Sequence, residues 1–155
     1  MKDHIVLKIV LMFVALIAVS FWGWNYLNKN ANDVISNNIV FDTKILGDYK
    51  DLVSFSIDSG SSVSGALTAV GSVSGGYFFE GNILVNILDS NKKVIKKGNG
   101  SAKTDWMTMD PVGFETIIDF TNLPKGNAFI EIHNDNPGAP TEGVNKSILI
   151  PIIIK

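Results

Sequence analysis

The sequence contains neither cysteine nor arginine, two residue types that carry much of protein chemistry. Without cysteine the chain has no disulfide, thiolate nucleophile, cysteine-ligated zinc site or lipidated-cysteine anchor. All 13 basic residues are lysines, and against 15 acidic residues they leave a formal net charge of -2. The bidentate guanidinium contacts that read phosphates and guanines are therefore missing, and we expect no nucleic-acid partner.

Histidine is also scarce, since the chain has only His4 and His133. No nucleophile-elbow motif accompanies either of them, so nothing points to a serine-hydrolase triad. The acidic residues of the C-terminal two thirds are scattered, which is typical of a solubilising surface, although two of them could pair in space as glycosidase carboxylates do. We predict that the protein is not an enzyme and uses no cofactor.

A long apolar run lies near the N-terminus, where no charged residue occurs between Lys8 and Lys29. As a helix, residues 9–27 would cover ~28 Å, close to the hydrocarbon thickness of a bilayer. Lysines before the run favour a cytoplasmic N-terminus, residues 1–8, and a C-terminal part outside the cell membrane. The aromatic residues that follow, from Phe21 to Tyr26, suit a membrane interface and favour an uncleaved anchor. The alternative is a signal peptide cleaved after the small residues Ala18 or Ser20.

The rest of the chain divides into a polar tether and a strand-rich domain. Residues 28–50 are rich in asparagine and aspartate and predict a juxtamembrane tether with one short strand. From Leu52 the hydrophobic pattern has a period of two, and glycine, proline, asparagine and aspartate separate the runs. About seven short strands in residues 51–155, with no helical period among them, predict a two-sheet antiparallel β-sandwich.

Alternation assigns the aromatic residues of these strands to faces. Tyr77, Phe79, Phe114 and Phe120 fall on the apolar side of their strands and are predicted to fill the core. Phe78 and Phe129 share the other side with polar residues, and Pro151 in the last run predicts an edge strand or a bulge.

The order of four segments resembles a known family. They are SGSSVSGALTAVGSVSGGYFFEG, VNILDSNKKVI, TDWMTMDPVGFETIIDF and EIHNDNPGAPTEG, and they span most of residues 52–155. Their order and spacing are similar to those of the immunoglobulin-like domain associated with bacterial spore-germination proteins, the second type of GerMN-associated domain. This chain departs from the family pattern at Tyr77, where tryptophan is usual. The resemblance implies an extracytoplasmic immunoglobulin-like module and supplies no catalytic residue.

Two segments are candidates for binding. The first contains Asp105, Trp106 and Met107, which could pack under the edge of the sandwich or expose an amphipathic patch to a partner. The second contains Asn134, Asp135 and Asn136 at the end of a strand. Their oxygen atoms could bind calcium, but their spacing fits no calcium loop, and these residue types also stabilise turns.

We therefore expect a single-pass membrane protein that presents one immunoglobulin-like domain to the cell envelope for interaction or assembly. The domain carries eight lysines and eleven acidic residues, which disfavours binding to anionic lipid by charge and favours a protein partner. One alternative is a wall-glycan binding module, for which Phe78, Trp106 and Phe129 are the candidate rings. Another is a secreted form that follows signal-peptide cleavage.

Overall fold

The structure, a computed structural model, describes residues 42–135 and 145–155. Within them lie a short 3-10 turn, Tyr49–Asp51, and ten strands. The strands are β1 (Leu46–Gly47), β2 (Leu52–Phe55), β3 (Ser62–Val63), β4 (Ala66–Val73), β5 (Asn82–Asp89), β6 (Val94–Lys96), β7 (Asn99–Ala102), β8 (Val112–Asp119), β9 (Gly126–His133) and β10 (Ser147–Ile154). The predicted all-β domain is confirmed.

Other predictions fall partly or wholly outside this range. The proposed transmembrane helix, residues 9–27, lies outside the described residues, as does most of the tether. No helix in residues 42–135 and 145–155 is long and apolar enough to cross a membrane. The end of the predicted tether does have structure, because β1 pairs with β10 through Leu46 and Leu149. Residues 42–50 therefore belong to the folded unit.

The strands form two groups. One group is ordered β2–β4–β8–β7, and the other is β1–β10–β9–β5, with β6 beside β5 and β3 parallel to β10. The two groups are continuous where residues 82–84 of β5 pair with β7. Apart from β3, all pairs are antiparallel. This order is the one found in immunoglobulin-like sandwiches.

One hydrophobic core draws on both groups, which places their inner faces against each other. Alternate residues of the long strands are buried there, as the period of two predicted. Tyr77, Phe114 and Phe120 are each at most 2% exposed, which confirms their place in the core. β10 contributes a row of buried isoleucines, namely Ile148, Ile150, Ile152 and Ile154.

The prediction for Phe78 and Phe79 is wrong, because their faces are exchanged. Phe78 is 9% exposed and its ring meets that of Phe114 edge-on at 6.5 Å, whereas Phe79 is 44% exposed. The reason is that β5 begins only at Asn82. Before it, Glu80 and Gly81 both have positive φ and form a tight turn that Phe79 and Asn82 close with two backbone hydrogen bonds. Strand alternation does not continue through such a turn.

Phe129 is also buried, at 6% exposure. The prediction that it lies on a polar face is therefore wrong. It lies opposite Leu88 on β5 and Pro151 on β10, and both of these residues are buried as well. The three form an apolar row across the strands, on the face away from Ile130. Sequence alternation could not show this because the partners lie about 20 to 40 residues away.

Pro151 lies in a strand that has neighbours on both sides, and not at a simple edge. β10 pairs with β9 along its whole length, while on its other side β1 covers residues 148–149 and β3 covers residues 153–154. Pro151 therefore falls in the gap between two short partner strands. Its carbonyl accepts a hydrogen bond from Gly60, and its missing N–H leaves no ladder bond unmade there.

Candidate functional site

Three loops and one short segment meet at one end of the sandwich. The backbone N–H of Gly75 donates to the carbonyl of Met109, and that of Asp135 donates to the carbonyl of Tyr77. Ser74 in turn donates to the carbonyl of Asp51. We call this region, residues 48–51, 74–81, 103–111, 134–135 and 145–146, the loop end. Both predicted binding segments lie in it, and both contact the loop between β4 and β5.

The loop between β7 and β8 is held in place by its own polar side chains and by its neighbours. Asp105 accepts a hydrogen bond from the backbone N–H of Met107 at 3.1 Å, and the Thr108 hydroxyl accepts one from Asp110 at 3.1 Å. Gly75 fits closely against this loop, because a β-carbon there would overlap the carbonyl of Thr108. Asp105 therefore helps to hold the conformation of the loop.

Trp106 and the two methionines of this loop differ in exposure. Trp106 is half-buried against the core. Its indole lies close to Gly81, where a β-carbon would be 3.5 Å from the ring. Met107 and Met109 are 76% and 82% exposed. Together with Gly76, Phe78 and Thr108 these residues line a shallow depression of about 300 Å³. The tryptophan thus packs against the core, while the same loop exposes the two methionines.

The second predicted segment is structural in its described part. Asn134 is 5% exposed, its side-chain oxygen accepts from the backbone N–H of Lys146 at 2.8 Å, and its own N–H donates to the Lys146 carbonyl at 3.1 Å. These bonds join the ends of β9 and β10. Asp135 is partly exposed beside Tyr77. Asn136 lies outside the described residues.

A polar network under the loop end has no counterpart in the sequence prediction. Asp51 Oδ2 accepts from the Tyr77 hydroxyl at 3.3 Å and from Lys146 Nζ at 3.0 Å, and the Lys146 ammonium lies 5.3 Å from the centre of the Tyr77 ring. Burial, reinforced by the negative charge of Asp51, raises the pKa of Tyr77. No sequence pattern could reveal this network, because its members come from three separate parts of the chain.

Among residues 42–135 and 145–155, no three histidine or acidic side chains come close enough to share a metal ion. The Nδ1 atom of His133 lies 2.7 Å from the carbonyl oxygen of Asn134. That ring nitrogen is engaged with the backbone of its own loop.

A comparison with family models identifies the sandwich. Residues 58–138, just over half of the chain, match the model described as the immunoglobulin-like domain of bacterial spore germination. The chain belongs to this family. The match runs from the residues before β3 to those after β9 and includes Asp105, Trp106 and Met107. The searches of curated proteins and of solved structures found no match.

The immunoglobulin-like domain extends beyond the matched residues. β1 and β2 precede residue 58 and β10 follows residue 138, yet β10 lies between β9 and the short strands β1 and β3. The network of Asp51, Tyr77 and Lys146 likewise joins residues on both sides of the matched boundaries. The complete fold therefore needs the flanking segments.

Proposed function

We propose that this protein is a membrane-anchored, extracytoplasmic interaction or assembly module of the bacterial cell envelope, without catalytic activity. Membership of the immunoglobulin-like spore-germination family supports the interaction role. The uncharged apolar run of residues 9–27 supports the anchor and the location. The partner is a protein of the envelope and not a nucleic acid, since the chain has no arginine and a net negative charge.

The exposed methionines of the loop end are the observation that carries this proposal. Met107 and Met109 are among the most exposed large hydrophobic residues, yet their loop is fixed by hydrogen bonds and by the close fit of Gly75. Two unbranched apolar side chains on a fixed loop suit a protein surface that must adapt to a partner. Solvent exposure of such groups otherwise brings no benefit to folding.

The first described residues lie on the side of the sandwich opposite the loop end. β1 runs antiparallel to β10 and towards the loop end, so the first described residues lie away from it. There, Ser59 donates a hydrogen bond to the Thr43 carbonyl, and Gly60 approaches the same residue.

Wall glycan is the weaker alternative. Two of the three rings that could stack on a sugar, Phe78 and Phe129, are buried, and Trp106 is half-buried. A flat aromatic platform made from these three residues is therefore not available.

Site-specific photo-crosslinking in the protein's own cells tests the proposal. A photoreactive residue at Met107 is compared with one at Lys93, which is exposed in the turn between β5 and β6. We expect a discrete envelope protein to be captured from Met107 and not from Lys93. Equal capture at both positions, capture of glycan alone, or no capture from a folded protein would contradict the interaction role of the loop end.

A further inference from the structure

The negative charge of the described chain is concentrated at the loop end. This region holds six carboxylates and three lysines, whereas the remaining described residues hold six carboxylates and seven lysines. The six carboxylates are those of Asp48, Asp51, Glu80, Asp105, Asp110 and Asp135. A net charge of about -3 within one end of a small domain creates a local field that attracts cations.

Three of these carboxylates lie in the methionine-bearing loop or in the turn beside it. Asp105 and Asp110 flank them in the loop, and Glu80 belongs to the turn whose Gly81 lies against the Trp106 indole. None of the three forms an ion pair with a lysine of the described residues. All three residues are exposed.

Two of the three lysines at this end already form ion pairs with carboxylates of the domain. Lys103 lies 3.5 Å from Glu115 on β8, and Lys146 lies 3.0 Å from Asp51. The Asp51–Lys146 pair also belongs to the network under Tyr77, so it is part of the fold. Lys50 is the remaining lysine of this end, and Glu80 and Asp110 have no lysine partner among the described residues. Positive charge supplied by a partner would complement them.

We propose that the loop end binds a basic, apolar segment of another envelope protein. Lysine or arginine side chains of that segment would face Glu80 and Asp110, while an aliphatic or aromatic side chain enters the depression of about 300 Å³ between Trp106 and the methionines. This inference rests on the proposed interaction function and adds the chemistry of the partner. In such an interface the apolar centre contributes most of the affinity. The charged rim contributes specificity and a faster rate of association.

The first test maps the captured segment. Photo-crosslinking from Met107 in intact cells is followed by proteolysis and mass spectrometry of the linked peptides. We expect a segment with an excess of lysine and arginine over acidic residues and with at least one large apolar side chain. A linked segment that is neutral or acidic would overturn this inference and leave the interaction function standing. Glycan adducts alone, or no adduct, would overturn both.

The second test measures affinity for a synthetic peptide with the mapped sequence, using the full-length protein in detergent. The variant Glu80→Gln/Asp110→Asn removes two rim charges, and Asp105 is kept because it holds the loop. The control Asp42→Asn/Asp58→Asn removes two exposed charges outside the loop end. At low salt we expect the rim variant to weaken binding roughly five- to tenfold and the control to change it less than about twofold.

Salt separates charge from other effects in the same measurement. At high ionic strength the affinities of the rim variant and the parent protein should converge, because exposed ion pairs are screened. Equal weakening by the rim and control variants would overturn the inference, because it would indicate a dependence on net charge alone. An unchanged affinity of the rim variant would overturn it as well. Circular dichroism of each variant confirms that the fold is retained.

Discussion

The side chain of Tyr77 contacts both the hydrophobic core and the polar groups of the loop end. Its ring is fully buried, its hydroxyl donates to Asp51, and the Lys146 ammonium lies over its face. The aromatic pattern predicts the burial of this ring. It cannot predict the hydroxyl contact, since Asp51 and Lys146 lie 26 and 69 residues away in sequence.

Two substitutions of Tyr77 should distinguish the contribution of its ring to stability from that of its hydroxyl. We expect Tyr77→Phe to lower the free energy of unfolding by about 0.5–1.5 kcal/mol, because one modest hydrogen bond is lost. Tyr77→Ala should cost about 3–5 kcal/mol, because it leaves a cavity in the core. Urea unfolding followed by tryptophan fluorescence measures both. Equal losses in the two variants would show that the ring contributes little.

The pH dependence of stability provides a second test of Tyr77. Its pKa is raised in the folded protein, so the folded state keeps a proton that the unfolded state releases above about pH 10. The stabilisation is complete below that pH and is lost as the pH rises further, by up to about 1.4 kcal/mol per pH unit. We expect the Tyr77→Phe variant to lose less stability than the parent protein between pH 10 and 11. Parallel curves for the two proteins would contradict the buried position of the hydroxyl.

Exposure of the methionines predicts their oxidation in the folded state. Dilute hydrogen peroxide transfers one oxygen atom to a thioether and leaves water, and the reaction needs access to sulfur. With 76% and 82% exposure, Met107 and Met109 should both form sulfoxides while the protein stays folded. Peptide mass spectrometry with circular dichroism follows the reaction. Oxidation that occurs only after unfolding would contradict the structure of this loop.

At the scale of elements, a hydrophobic period of two predicts the buried residues of some strands and not those of the loops. Strand β8 alternates as the sequence predicts, because it has one face on the core, whereas β9 and β10 depart from alternation at Phe129 and Pro151, which are buried on the opposite face. The loop between β4 and β5 does not, because Glu80 and Gly81 adopt positive φ within an apparently continuous run. Short strands such as β1 and β3 have only two residues each and carry no period at all.

The contact between two loops can be tested at Gly75. A β-carbon at this position would overlap the Thr108 backbone, so Gly75→Ala should force the loops apart and lower stability by about 1–3 kcal/mol. Gly113→Ala is a matched control, because its nearest atom would be 3.9 Å away, and it should cost less than about 0.5 kcal/mol. Thermal unfolding compares the two. A tolerated Gly75→Ala variant would show that the loops are not in contact as described.

At the scale of the whole molecule, the sequence predicts the all-β fold class well, because burial on one face leaves a regular pattern. It also places Asp105, Trp106 and Met107 in one candidate segment. It cannot predict that this loop, the Tyr77 loop and Asn134 share one end of the sandwich, since that follows from the pairing of strands distant in sequence. Nor can it show the hydrogen bonds that Asp105 accepts from Met107 and Asn134 accepts from Lys146.

The anchor is a prediction at the same scale. If residues 9–27 remain as a membrane helix, protein extracted from washed membranes should contain peptides from both sides of residues 18–20 in one chain. Mass spectrometry of the purified protein detects them. A mature chain that begins after Ala18 or Ser20 would contradict the uncleaved anchor and support the secreted form.

The most direct measurement compares two pairs of exposed apolar residues for their effect on partner capture. A photoreactive residue at Thr104, an exposed loop-end position outside the charged rim, reports binding in cells. The variants are Met107→Ser/Met109→Ser at the loop end and Val70→Ser/Ile117→Ser on the outer sheet face, where both residues are more than half exposed. We expect the loop-end variant to lose about nine tenths of the cross-linked partner and the sheet variant to retain it, with equal amounts of folded protein. Retention by the loop-end variant, or an equal loss in both, would contradict an interaction through the loop end.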